Sequence, residues 1–91
     1  MEKAVLMNSD ELYRYIGQNV ARIRKAKKMT QLDLALAIGL KSVGLVSVAE
    51  IYHNKKHFNI EHLYKIAAVL EVDIGEFFKL PTASSNDDAL D

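Results

Sequence analysis

Apolar positions recur along this chain mainly at helical intervals. Leu12, Ile16, Val20 and Ile23 lie three or four residues apart, the spacing that gathers side chains onto one face of an α-helix. Ser9 ahead of them, followed by Asp10 and Glu11, reads as an N-cap with acids in the first turn, and Lys27 and Lys28 stand near the far end. The pattern predicts a helix over about 10–27. Gly17 inside it costs roughly 1 kcal/mol against alanine and is expected to mark close packing.

Thr30 is the next N-cap, with Leu32, Leu34, Ala35 and Ile38 as a short apolar stripe and Gly39 as the C′ residue. A third helix is predicted from Ser42 or Val43 to Tyr52. Its β-branched residues Val43, Val46, Val48 and Ile51 would also suit a strand, but no partner strand is evident, so helix is preferred. His53 to His57 form a polar, basic loop. Asn59 caps a fourth helix with the stripe Ile60, Leu63, Ile66, Ala67 and Leu70. Asp73 and Glu76 have capping-box spacing for a last short helix carrying Phe77 and Phe78, which Pro81 ends. The chain thus reads as all-α: an N-terminal arm over 1–9, a five-helix domain over 10–80 and an acidic, disordered tail over 81–91.

Composition narrows the class. At 91 residues the chain holds one small domain, with modest core burial, so stability is expected to be marginal without dimerisation. It has no cysteine, which removes disulfides and thiolate metal sites. Its only early apolar run is too short for a signal peptide, and no segment suits a membrane span, so a soluble, intracellular protein is expected. Formal net charge is zero, yet between Arg14 and Lys65 ten Lys/Arg face three acids, Asp33, Glu50 and Glu61. The other acids lie towards the two ends. That asymmetry suggests a basic working face with acidic flanks, although a solvated mixed surface fits the charge as well. His53, His57 and His62 are spaced loosely like metal ligands, but no carboxylate or thiol evidently completes a site, and neither metal nor cofactor is expected. No activated nucleophile is recognisable, and glycines 17, 39, 44 and 75 form no phosphate-cradling loop, so no enzyme is expected.

The stretch "TQLDLALAIGLKSVGLVSVAE" carries the decisive spacing. Counting from Gln31, the fifth residue is Ala35, small enough for two helices to cross over it. The ninth is Gly39, free to take a left-handed turn, and the fourth, eighth and tenth, Leu34, Ile38 and Leu40, are core plugs. With "IGQNVARIRKAKKMTQLDLALAIGL", "SVAE" and "FNIEHLYKIAAVLEVDIGEFF", the chain resembles the Cro/CI-type, XRE or lambda-repressor-like helix-turn-helix family from Ile16 to about Phe78. The resemblance implies a five-helix DNA-binding domain of bacterial or phage type. It implies a cytoplasmic, nucleoid-associated transcriptional regulator, a repressor in the first instance, that binds a pseudo-palindromic operator as a homodimer through the third helix.

One departure from the family pattern leaves two registers open. The interval from Gly39 to Glu50 is one residue longer than the family's. Without a gap, Leu45 and Val48 face inward and Glu50 points at DNA. With one extra turn residue, Val46 and Ala49 face inward, Ser47 outward, and Glu50 meets Arg24, which matches the family arginine of the first helix. The gapped register is preferred, because a carboxylate facing phosphate is repelled, whereas a hydrogen-bonded Arg24–Glu50 pair would lock the third helix to the first.

By the same resemblance Gln31 contacts a phosphate and braces the third helix. Lys41, Ser42, Val43, Gly44 and Ser47 form the turn and the outer face that enters the major groove, with Val43 or Val48 available to a thymine methyl. No Arg, Asn or Gln stands on that face, so base readout is expected to be thin and DNA shape to carry more of it. Asn54, Lys55 and Lys56 are expected to clamp the backbone. Arg22, Lys25, Lys27 and Lys28 either assist or merely solubilise. Phe77, Phe78 and Leu80, and less so Val5, Leu6 and Met7, exceed what a small core needs and are candidates for the dimer interface. The same fold also serves protein partners, and an antitoxin or partner-binding adaptor is the alternative.

Overall fold

A computed structural model describes residues 7–80; the predicted acidic tail, Val5 and Leu6 lie outside the described residues. Four α-helices follow one another: α1 over Ser9–Ala26, α2 over Gln31–Ala37, α3 over Gly44–Ala49 and α4 over Ile60–Leu70. Two 3₁₀ segments, His53–Lys55 and Ile74–Phe78, complete the order, and there is no strand among the described residues. The architecture is all-α, and its predicted fifth helix is the second of these 3₁₀ segments.

The helix starts follow side-chain chemistry. Thr30 Oγ1 accepts from the Asp33 N–H at 2.9 Å while Asp33 Oδ2 accepts from the Thr30 N–H at 3.0 Å. That reciprocal box satisfies two backbone donors at the start of α2. It also holds the Asp33 carboxyl below its usual pKa, through the bonds from Thr30. The start of α1 differs from expectation: Asn8, not Ser9, is the N-cap, because Asn8 and Glu11 have the spacing to exchange bonds of 2.8 and 3.2 Å. Asn59 caps α4 with His62 as its reciprocal partner. The predicted Asp73–Glu76 box does not form; the tighter 3₁₀ turn leaves Asp73 without a side-chain cap, and Glu76 pairs with Lys79 at 3.3 Å.

The core joins Val20 and Ile23 of α1, Leu34 and Ala35 of α2, Val46 and Ala49 of α3, and Leu63 and Ile66 of α4. Phe58 enters it from the loop before α4. Phe77 is fully buried in the same core, which corrects its assignment to a dimer interface: it has no surface left to offer a partner. Phe78, its neighbour, points the other way and is 38 % exposed. Asn19, buried on α1, straps the closing 3₁₀ segment by donating to the carbonyls of Phe77 and Lys79 at 3.0 and 3.1 Å. Gly17 makes the closest approach of the four glycines: a Cβ there would stand 2.5 Å from the Ala49 carbonyl oxygen and 2.6 Å from that of Glu50. Glycine lets the end of α3 lie directly on α1.

Candidate nucleic-acid interface

The crossing of α2 and α3 is built by three residues. Ala35 is fully buried where the helices meet, and Gly39 turns the chain at φ 91°. The Leu40 N–H donates to the Ala35 carbonyl at 2.9 Å and the Gly39 N–H to the Leu36 carbonyl at 3.0 Å. This pairing closes α2 with a left-handed C′ residue, as glycine does without steric penalty. The turn over 40–43 then leads into α3.

The register of α3 is the one with an extra turn residue. Val46 and Ala49 are fully buried, Ser47 is half-buried, and Glu50 is turned into the protein. Arg24 grips Glu50 with two parallel bonds, Nε to Oε2 at 2.7 Å and Nη2 to Oε1 at 3.0 Å. Its remaining Nη1 donates to the Met29 carbonyl at 2.8 Å, which ties in the link between α1 and α2. Gln31 Nε2 donates to Glu50 Oε1 at 2.8 Å. Both charged side chains are nearly inaccessible, at 7 % and 3 % exposure. Among the described residues no buried side-chain polar atom lacks a partner, so this ionic cluster is fully satisfied.

Locking Glu50 away changes the electrostatics of the outer surface. It is the sole acid in the sequence between Asp33 and Glu61. Lys41 before α3 and Lys55 and Lys56 after it are all exposed, so the segment offers solvent only positive or neutral side chains. The α3 helix itself is shorter than predicted at both ends. Lys41, Ser42 and Val43 belong to the preceding turn, and Gly44 begins the helix. Val43 and Val48 are half-buried; the Ser47 hydroxyl donates to the Gly44 carbonyl at 3.0 Å. The C-terminal shortening has a backbone cause: Tyr52 takes a left-handed conformation at φ 57°, followed by Asn54 at 52° and Lys55 at 60°.

That left-handed turn is pinned to α1. The Tyr52 hydroxyl donates to Asp10 Oδ1 at 2.7 Å, and Arg14 lies 5.4 Å from the centre of the Tyr52 ring. The bond to the Asp10 carboxylate, helped by burial, pushes the Tyr52 phenol pKa up. His57 stacks on Tyr13 with ring centres 3.8 Å apart. Sequence reasoning missed this anchor and the Asn19 strap, because both join residues far apart in the chain. His53, His57 and His62 do not converge, and among the described residues no group of three or more His, Cys, Asp or Glu could hold a metal ion. No described helix is long and apolar enough to cross a membrane.

Two short helices crossed over a buried alanine and a left-handed glycine, the second with an open outer surface, define a helix-turn-helix DNA-binding domain. The family model described as "Helix-turn-helix" matches residues 20–77. The chain belongs to this Cro/CI-type (XRE) helix-turn-helix family, a family of DNA-binding transcriptional regulators. Among solved structures, the restriction-modification controller protein C.AhdI from Aeromonas hydrophila is similar at 26 % identity and a TM-score of 0.64, over 72 % of this chain and 96 % of that one. The hypothetical transcription factor NHTF from Neisseria shares the fold at 21 % identity and a TM-score of 0.67, over 98 % of this chain and 97 % of its own. No curated protein matches the chain.

Proposed function

We propose that the protein is a sequence-specific transcriptional regulator that reads a pseudo-palindromic operator as a homodimer, with α3 of each protomer in the major groove and repression as its primary output. The observation that carries this reading is the inward lock on Glu50. It removes the one carboxylate that would oppose phosphate and leaves α3 bracketed by lysines. In this reading Ser42, Gly44 and Ser47, with the methyls of Val43 and Val48, meet base edges. Lys41, Asn54, Lys55 and Lys56 hold phosphates, and Gln31 adds a phosphate contact to its grip on Glu50. The similarity to a controller protein and to a transcription factor supports the same direction.

Dimerisation is assigned to the apolar surface around Phe78 and Leu80. Phe78 is partly exposed and borders a cleft of about 370 Å³ whose other walls include Leu12, Ile16, Phe58 and Leu63. A dimer that reads two half-sites one helical turn of DNA apart needs its two α3 helices about 34 Å apart. Selection of binding sites from random duplexes tests both parts. An enriched motif with two inverted half-sites about 10 base pairs apart supports the dimeric reader, whereas no enrichment above background contradicts it.

An antitoxin or adaptor role has one observation in its favour. Leu32 and Leu36 are half-exposed on α2, at 48 % and 55 %, beside a recognition surface without Arg, Asn or Gln. A protein that co-purifies in fixed ratio and competes with duplex for α3 would favour this role. Isolation as a homodimer that binds an operator alone would exclude it.

A further inference from the structure

The turn from Tyr52 to His57 gathers left-handed backbone conformations close together. Three of its first four residues, Tyr52, Asn54 and Lys55, are left-handed without being glycine. Such residues persist where surrounding structure over-determines them, and they gather at ligand clamps. Here the determinants sit at the two ends. Tyr52 at the start is buried, hydrogen-bonded to Asp10 at 2.7 Å and covered by Arg14. His57 at the end lies flat on Tyr13, at 3.8 Å and an interplanar angle of 14°. All three partners, Asp10, Tyr13 and Arg14, belong to the first turns of α1. The residues between, His53 to Lys56, are exposed. The Lys56 N–H donates back to the His53 carbonyl at 3.0 Å and closes the turn on itself. The start of α1 thus acts as a post to which both feet of a strained turn are fastened, with Asn54, Lys55 and Lys56 at its tip.

We propose that Tyr52 and Asp10 are positioning residues for DNA binding: their hydrogen bond fixes the turn so that Lys55 and Lys56 engage backbone phosphates from a preset geometry. This rests on the nucleic-acid reading above and adds to it a pair that touches no DNA. The chemistry is a matter of ordering. Two lysines on a free loop lose conformational freedom on binding; two on a turn already held lose less, and more of their attraction survives as affinity. Asp10 makes the inference sharp. A carboxylate near a phosphate-binding turn should weaken DNA binding, so simple charge removal predicts that Asp10→Ala tightens it. Positioning predicts the opposite.

The test is titration of a fluorescent operator duplex over a series of salt concentrations with the full chain, alongside thermal melting. Lys55→Ala with Lys56→Ala calibrates the clamp and should lower the salt slope by about two units. Tyr52→Phe keeps the buried ring and its contact with Arg14 but loses the hydroxyl. It is expected to weaken binding about three- to tenfold and lower the slope by about one unit, with little change in melting. Asp10→Ala should do the same, and Asp10→Asn, which keeps an oxygen acceptor, should recover most of the affinity. Wild-type affinity and slope in Tyr52→Phe, or tighter binding by Asp10→Ala, overturns the inference and leaves the DNA-binding reading standing. Salt-independent binding by the wild type, or none, overturns both.

Discussion

The two ends of α3 are held by opposite means. At its C-terminal end Glu50 accepts three charge-assisted or amide hydrogen bonds, from Arg24 and Gln31, and the backbone beneath rests on Gly17. At its N-terminal end Val43 provides no side-chain cap, and the Ser47–Gly44 bond joins packing by Leu45 and Val46 in holding the first turn. The lesson is a division of labour within six residues. One end sets the angle at which the helix leaves the core; the other carries no ion pair and presents the small, exposed Ser42 and Gly44. Specificity devices and binding surfaces place different demands on side chains, and a helix too short to be stable alone can meet both only by tertiary anchoring.

Breaking the locked end should cost most. Glu50→Ala leaves the Arg24 guanidinium buried without its partner and is expected to destabilise by about 3–5 kcal/mol, seen as a large fall in melting temperature. An unchanged melting temperature would mean that the ion pair does not hold α3. Gly17→Ala comes next. The gain in helix propensity of about 1 kcal/mol is outweighed by a methyl driven into two backbone carbonyls, and a net loss of about 2 kcal/mol is expected in denaturant unfolding. Gln31→Ala removes one of three donors to Glu50 and should cost about 1 kcal/mol. Equal losses for Gln31→Ala and Glu50→Ala would show that the lock is not centred on the ion pair. At the open end, Ser47→Ala should change stability by less than about 0.5 kcal/mol while reducing operator affinity.

Acid provides a control remote from α3. Burial lowers the His62 pKa below its usual value, and the neutral ring accepts the Asn59 N–H at the start of α4. The unfolded chain therefore takes up this proton first as pH falls below about 6.5. Stability is expected to be full above that pH and to decline below it until the folded histidine also protonates. His62→Gln, which preserves a capping-box acceptor, should flatten that part of the pH profile.

Much of this division was legible in the sequence, for identifiable reasons. The crossing needed a small residue and a left-handed one at fixed spacing, and Ala35 and Gly39 supply them at that spacing. The extra residue after Gly39 could be placed because one alternative set a carboxylate against DNA. The turn at Tyr52 was not legible. Asn54 takes the left-handed conformation readily, but Tyr52 and Lys55 have no such preference, and Tyr52 is held by Asp10, far away in sequence, about which local propensity says nothing. Lys28 and Glu71 end α1 and α4 in the same conformation, where a glycine would have announced them. Phe77 and Phe78 are adjacent and alike, and nothing in composition says which one the core takes. Asn19 interrupts no stripe and forms no motif, so its two bonds to the closing segment leave no trace in periodicity.

In the proposed reading the open side of α3 faces nucleic acid while its locked side faces the core. Amide chemical-shift mapping during titration with a selected duplex tests it most directly. The largest shifts are expected on residues 41–48 and 54–56, with those of Phe77 and Leu63 in the core nearly still. Shifts confined to Phe78, Leu80 and the α4 surface, with 41–48 unmoved, would contradict it.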